Sequence, residues 1–198
     1  MKNRVGIFGG TFNPPHVGHI EAARAFSTEM KLDSLIIMPS FIPPHKEYKS
    51  DVSCQQRLAM CEIAFKDIPN ARVSDHEIAR GGKSYTYLTL QELSSEEREL
   101  YFLCGTDMIL TMDAWKNPEI IFSLAKICYI RREKDTETTA LIDKKLNEYS
   151  SKYGAEVIPI ASDVIEISSS EVRGNIVNKS KYLTDGVFEY IRKEGLYK

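Results

Sequence analysis

Between Val5 and Ile20 the chain reads Val-Gly-Ile-Phe-Gly-Gly-Thr-Phe-Asn-Pro-Pro-His-Val-Gly-His-Ile. Gly9 and Gly10 allow a sharp turn and a close approach of backbone to a ligand. His16 and His19 stand three apart where a helix begins, so their imidazoles share one face. The free N–H groups and the positive end of the helix dipole lie at the same point. Two imidazoles beside an anion hole suit a polyphosphate. A glycine turn, a capped helix and two surface histidines would account for the same residues, but a pattern this long rarely assembles by accident.

Three further stretches carry groups that could act with it. Ile167-Ser168-Ser169-Ser170-Glu171-Val172-Arg173 puts hydroxyls at a helix start, with a guanidinium one turn later that can form charge-assisted bonds to phosphate. Taken alone, Ser168 with Glu171 fits a capping box better than a phosphate site. Pro43-Pro44-His45-Lys46 is a stiffened loop that lowers the entropy of placing Lys46, although an exposed proline-rich loop explains an isolated copy. Ser84-Tyr85-Thr86-Tyr87-Leu88-Thr89-Leu90 is followed by Gly105-Thr106-Asp107 and by the single tryptophan, Trp115. Asp107, just after a strand, can accept bonds from ribose hydroxyls or cap the next helix. Trp115 offers a flat face of large area, or simply a core residue.

Two patterns mislead. Gly82-Lys83-Ser84 imitates the end of a P-loop, but the required earlier glycine falls at Glu77. His76-Glu77 imitates a zinc-protease start, but its second histidine would fall at Arg80. The G-x-G-x-x-G spacing of a bound dinucleotide cofactor is missing.

The elements that must position these groups alternate. Strands are expected at 4–8, 34–38, 71–74, 100–104, 127–130 and 157–160. Helices are expected at 17–30, 52–65, 86–93, 108–112, 138–149, 169–177 and 187–194. Leu58, Cys61, Ile63 and Phe65 are read as much of the apolar face of the helix over 52–65. Apolar strands between amphipathic helices predict an α/β fold: a Rossmann-like, doubly wound parallel sheet with helices on both faces. Ligands of such sheets bind beyond the carboxyl ends of the strands, where Gly9, Gly10 and Gly105 fall.

A chain of 198 residues reads as a single domain over 1–198, with the helices of about 168–198 as a small helical extension. A net charge of −2 argues against a nucleic-acid partner. Cys54, Cys61, Cys104 and Cys128 show no C-x-x-C spacing, which fits a reducing cytoplasm and no metal site, with Cys54 and Cys61 at core spacing on one helix. No stretch has the length of a membrane span. A homo-oligomer is left open.

The opening stretch resembles the G-G-x-F/T-x-P-x-H-x-G-H segment of the nucleotidylyltransferase superfamily, and most closely that of the bacterial nicotinate-nucleotide adenylyltransferases, with Asn13 where aspartate is usual. The stretch 167–173 resembles their I-S-S-T-x-I-R, with Ser170 and Val172 as mild departures. Stretch 84–90 resembles S-Y-T-x-D-T-L, with Leu88 in place of the aspartate. The resemblance runs from Val5 through Arg173. It implies adenylyl transfer from ATP to nicotinate mononucleotide, giving deamido-NAD and pyrophosphate in NAD biosynthesis, with Mg²⁺ carried by the ATP phosphates. It implies that His16, His19, Lys46 and Arg173 act on the phosphates. Gly9, Gly10, Thr11, Phe12, Gly105, Asp107, Ser168 and Ser169 would bind the nucleotide. Tyr85 and Thr86 would receive the nicotinate carboxylate, with Trp115 stacked on the pyridine ring. Other acceptors (nicotinamide mononucleotide, phosphopantetheine, a sugar phosphate) stay open, as does a nucleotide sensor without catalysis. A P-loop kinase fails at Glu77.

Overall fold

The computed structural model describes residues 2–44, 51–130, 136–161, 167–178 and 180–198. Six strands form one all-parallel sheet: β1 (Asn3–Gly10), β2 (Ser34–Pro39), β3 (Ala71–Val73), β4 (Arg98–Gly105), β5 (Ala125–Ile130) and β6 (Val157–Ile160). Their spatial order is β3-β2-β1-β4-β5-β6. The order reverses between β1 and β4, which pair in register with Ile7 opposite Phe102. This is the doubly wound topology expected from the sequence, and its switch point lies at the ends of those two strands.

Alternation along the strands divides the core in two. Phe8, Leu35, Ile37 and Leu103 point to one face, where α1 (Val17–Glu29), α2 (Cys54–Phe65) and α9 (Asp185–Glu194) cover them. Val5, Ile7, Ile36, Met38 and Phe102 point to the other, under α4 (Thr86–Leu93), α6 (Pro118–Leu124) and α7 (Thr136–Tyr153). The order is completed by α3 (His76–Arg80), α5 (Thr106–Ile109) and α8 (Ser169–Gly174). Val172 of α8 and Val187 and Ile191 of α9 join the first cluster, so the last helices pack onto the sheet layer. Among the described residues no helix is long and apolar enough to cross a membrane.

Three expectations need correction. The short helices α3 and α6 stand where the sequence pattern predicts none. In α2 the buried positions are Arg57, Met60, Cys61, Ala64 and Phe65, while Leu58 and Ile63 are half-buried. Cys54, the first residue of α2, sits outside the core. Ser53 ends the preceding loop as a capping box with Gln56, so the helix starts two residues later than its apolar pattern suggests. Burial pushes the thiols of Cys61, Cys104 and Cys128 upward, which keeps them protonated and inert.

Candidate active site

Two cavities open at the carboxyl ends of β1 and β4. The wider, about 770 Å³, is lined by His16, His19, Ser168, Ser169, Ser170 and Arg173, among others. The narrower, about 390 Å³, is lined by apolar Ile7, Met38, Leu90, Phe102 and Trp115, with Ser84, Thr86 and Glu77. They share one rim: Gly9, Gly10, Thr11, Pro43, Asp107 and Met108. A Cβ on Gly9 would meet the Phe102 ring of the narrow side at 3.6 Å, whereas one on Gly10 would lie 2.9 Å from the Phe12 ring. The second distance is too short for any side chain, so Gly10 lets Phe12 fold back under the turn. Phe12 itself takes a left-handed backbone, φ 48°.

His16 caps α1 in extended conformation, buried at 3% exposure. Its backbone N–H donates to Nδ1 of His19 at 3.2 Å. The two rings stack with centroids 3.6 Å apart, and the Phe12 ring meets His19 edge-on at 5.1 Å. An Nδ1 that accepts leaves the proton of a neutral imidazole on Nε2, so His19 is held as a donor of fixed direction.

The stretch 168–173 grips this loop. Ser169 Oγ donates to the Pro14 carbonyl at 2.8 Å. Arg173 Nη1 donates to the Asn13 carbonyl at 2.6 Å, and Nη2 donates to Ser170 Oγ at 2.9 Å. Ser168 caps α8, accepting from the Glu171 N–H at 3.2 Å. The capping box is therefore present, and its helix also faces the wider cavity. Gly105 ends β4; a Cβ there would lie 2.8 Å from Asp107 Oδ1, so the carboxylate would have to swing aside for any other residue. Thr106 Oγ1 donates to the Ile130 carbonyl at 3.0 Å and ties the ends of β4 and β5. Lys46 and His45 lie outside the described residues.

On the narrow side, half-buried Trp115 meets Phe102 edge-on at 6.4 Å. Thr86 opens α4 and lines the cavity. The Tyr85 ring packs instead beside Tyr87, with Lys116 Nζ 4.6 Å from its centroid. Ser84 belongs to a wall and not to a P-loop: Lys83 bridges to Ile42, and Ser84 Oγ accepts from the Phe41 N–H at 2.9 Å.

Sequence reasoning missed three residues. Arg57 is fully buried and donates to the carbonyls of Thr11 at 2.7 Å, Ser40 at 2.6 Å and Phe41 at 3.3 Å. It fastens the turn after β1 to the loop after β2. Its place in the 57-60-61-64-65 core pattern was the available signal. Glu77, set aside with His76, is 6% exposed and faces the narrow cavity. It accepts the Thr89 hydroxyl at 2.6 Å. Burial pushes its carboxyl up, against the pull of bonds from Thr89 and Ser84 and the charge of Arg80. His76 pairs with Glu92 at 2.6 Å on the surface side. Tyr197, whose hydroxyl donates to Asn13 Oδ1, also lines the wider cavity; nothing local in the sequence marks it.

Comparison with known proteins identifies the family. A model of the cytidylyltransferase-like family matches residues 7–175. Proteins named probable nicotinate-nucleotide adenylyltransferase are similar over nearly their whole length. One from Clostridium acetobutylicum is 34% identical, with all of both chains covered. One from Clostridium botulinum (strain Alaska E43) is 33% identical, covering 98% of each. Among solved structures, the Plasmodium falciparum nicotinic acid mononucleotide adenylyltransferase complexed with NaAD shares the fold at TM-score 0.76 and 20% identity, covering 98% of this chain and 97% of its own. The chain belongs to the cytidylyltransferase-like family, among its nicotinate-nucleotide adenylyltransferases.

Proposed function

We propose that the protein transfers the adenylyl group of ATP to nicotinate mononucleotide, forming deamido-NAD and releasing pyrophosphate. The observation that carries this reading is the shared rim. A cavity with two imidazoles and a guanidinium meets a smaller, largely apolar cavity along Gly9, Gly10, Thr11 and Asp107. A nucleoside triphosphate suits the first and a pyridine ring the second, so the acceptor phosphate and the α-phosphorus meet at the rim.

There the acceptor's 5′-phosphate oxygen attacks the α-phosphorus in line. The bond from the α-phosphorus to the bridging oxygen breaks, and its electron pair leaves with pyrophosphate. The nucleophile is already an anion, so the chain needs no strong base. Its work is positioning and charge stabilisation. We assign His19 Nε2–H and His16 to the phosphate oxygens that gain charge. The N–H groups of Arg173 not spent on Asn13 and Ser170 would meet the departing phosphates, together with Lys46. Thr86 and the start of α4 would receive the nicotinate carboxylate, and Trp115 would stack on the ring.

Among the described residues no three His, Cys, Asp or Glu side chains cluster to cage a metal ion. We assign Mg²⁺ to the nucleotide, entering as part of the substrate with most of its water retained, because it dehydrates reluctantly and binds phosphate oxygens. All four cysteines stand as free thiols, which supports a reducing, cytoplasmic setting.

The test is pyrophosphate release from ATP with a panel of acceptors. Nicotinate mononucleotide should give the highest kcat/KM, above nicotinamide mononucleotide and phosphopantetheine. Formation of ADP, or preference for a non-pyridine acceptor, would contradict the proposal.

A further inference from the structure

Four described residues other than glycine have a left-handed backbone: Phe12, Lys31, Asn117 and Tyr197, at φ of 48–57°. Such a conformation is uncommon for a bulky side chain and persists only where its surroundings enforce it. Two of the four converge. Phe12 immediately precedes Asn13, and the Tyr197 hydroxyl donates to Asn13 Oδ1 across 184 residues of sequence.

Asn13 is 5% exposed and is held at two atoms, its amide oxygen by Tyr197 and its carbonyl by Arg173. The next carbonyl, Pro14, is held by Ser169. The strip leading from the glycine turn into His16 is thus clamped by groups near the other end of the chain. The segment carrying Tyr197 is itself shaped for this contact. Gly195 closes α9 in left-handed conformation, φ 62°, and the Leu196 N–H returns to the Ile191 carbonyl at 3.0 Å. A Cβ on Gly195 would lie 2.9 Å from Lys198 Cε, so the lysine folds back across it beside the wider cavity.

We propose that Tyr197 is a positioning residue of the nucleotide cradle, acting through Asn13. Its phenol fixes the strip that aims the imidazole pair, and it lines the wider cavity without lining the narrower one. The role rests on the reading of the wider cavity as the ATP site. It also gives the amide of Asn13 a physical role, because a neutral side chain accepts the phenol without adding a negative charge beside the triphosphate.

The experiment is a double-mutant cycle of Tyr197→Phe and Asn13→Ala, read by calorimetric binding of a non-hydrolysable ATP analogue and by steady-state kinetics. Each single variant should weaken analogue binding and raise KM for ATP about tenfold, the typical worth of one hydrogen bond. KM for the mononucleotide should stay within about twofold. The double variant should be no weaker than the worse single variant, because both remove the same bond. Unchanged binding in Tyr197→Phe, losses that multiply to about a hundredfold, or an equal rise in both KM values would overturn the inference. Normal analogue binding by the unmodified protein without pyrophosphate release would instead fault the proposed reaction, and the binding arm would still judge Tyr197. Absence of any analogue binding would overturn both.

Discussion

The backbone N–H of His16 is bonded to the ring nitrogen Nδ1 of His19 at 3.2 Å, and the two imidazoles lie face to face at 3.6 Å. The helix that presents the second imidazole also fixes its tautomer. Replacing His19 by alanine removes the Nε2–H donor and leaves the α1 core face of Ile20, Ala23 and Phe26 intact. The expected result is a fall in kcat of about 10²–10³-fold, the usual cost of one transition-state donor, with the fold intact and a melting temperature lower by roughly 2–4 °C for the lost bond to the His16 N–H. Initial rates of pyrophosphate release measure this, and a near-normal rate would refute the role.

Trp115 lines the narrower cavity and not the wider one. Trp115→Ala should raise KM for the mononucleotide about 10- to 100-fold, in line with about 1–3 kcal/mol for stacking on an aromatic face. KM for ATP should change little. As the single tryptophan, it also reports binding: its fluorescence should respond to the mononucleotide alone. No response at saturating mononucleotide would place the ring elsewhere.

Arg57 is a buried cation whose partners include three backbone carbonyls. Arg57→Met would leave those oxygens without their guanidinium and should cost roughly 2–4 kcal/mol of stability. Arg57→Lys should recover only part of this, since an ammonium lacks the planar fork. Urea denaturation measures both, and a loss under about 0.5 kcal/mol for Arg57→Met, the range of an ordinary surface change, would contradict the fastening role.

Glu77 gives a pH dependence of defined sign. Its folded value is raised above the ordinary 4.5, chiefly by burial. The fold thus favours the protonated form. Its contribution to stability is fully present below 4.5 and is lost as pH rises through the raised folded value. Glu77→Gln lacks that loss, so the variant should gain on the native protein from acid toward neutral pH. Parallel melting-temperature profiles for the two proteins would contradict the shift.

The parts legible in the sequence were those whose causes are local. The glycine turn, the spacing of His16 and His19 at the helix start and the Ser168–Glu171 box each lie within a few residues, and the strands announce themselves as apolar runs. The helices α3 and α6 span five and seven residues, too few turns for periodicity to register. Arg57 was passed over because a charge on a core face is read as a break in the pattern, until the carbonyls it serves are seen. Glu77 was judged on the motif it failed to complete. Its burial depends on Thr89 and Ser84, which local sequence does not pair with it. Tyr197 reaches Asn13 only through the packing of the last helices on the first face of the sheet.

The most direct measurement is a crystal structure with deamido-NAD bound. The adenosine should occupy the wider cavity beside Ser169 and Arg173, the pyrophosphate should cross Gly9 and Gly10 within hydrogen-bond reach of His19, and the pyridine should lie on Trp115. A dinucleotide held away from the imidazole pair, or with both nucleosides in one cavity, would contradict the account.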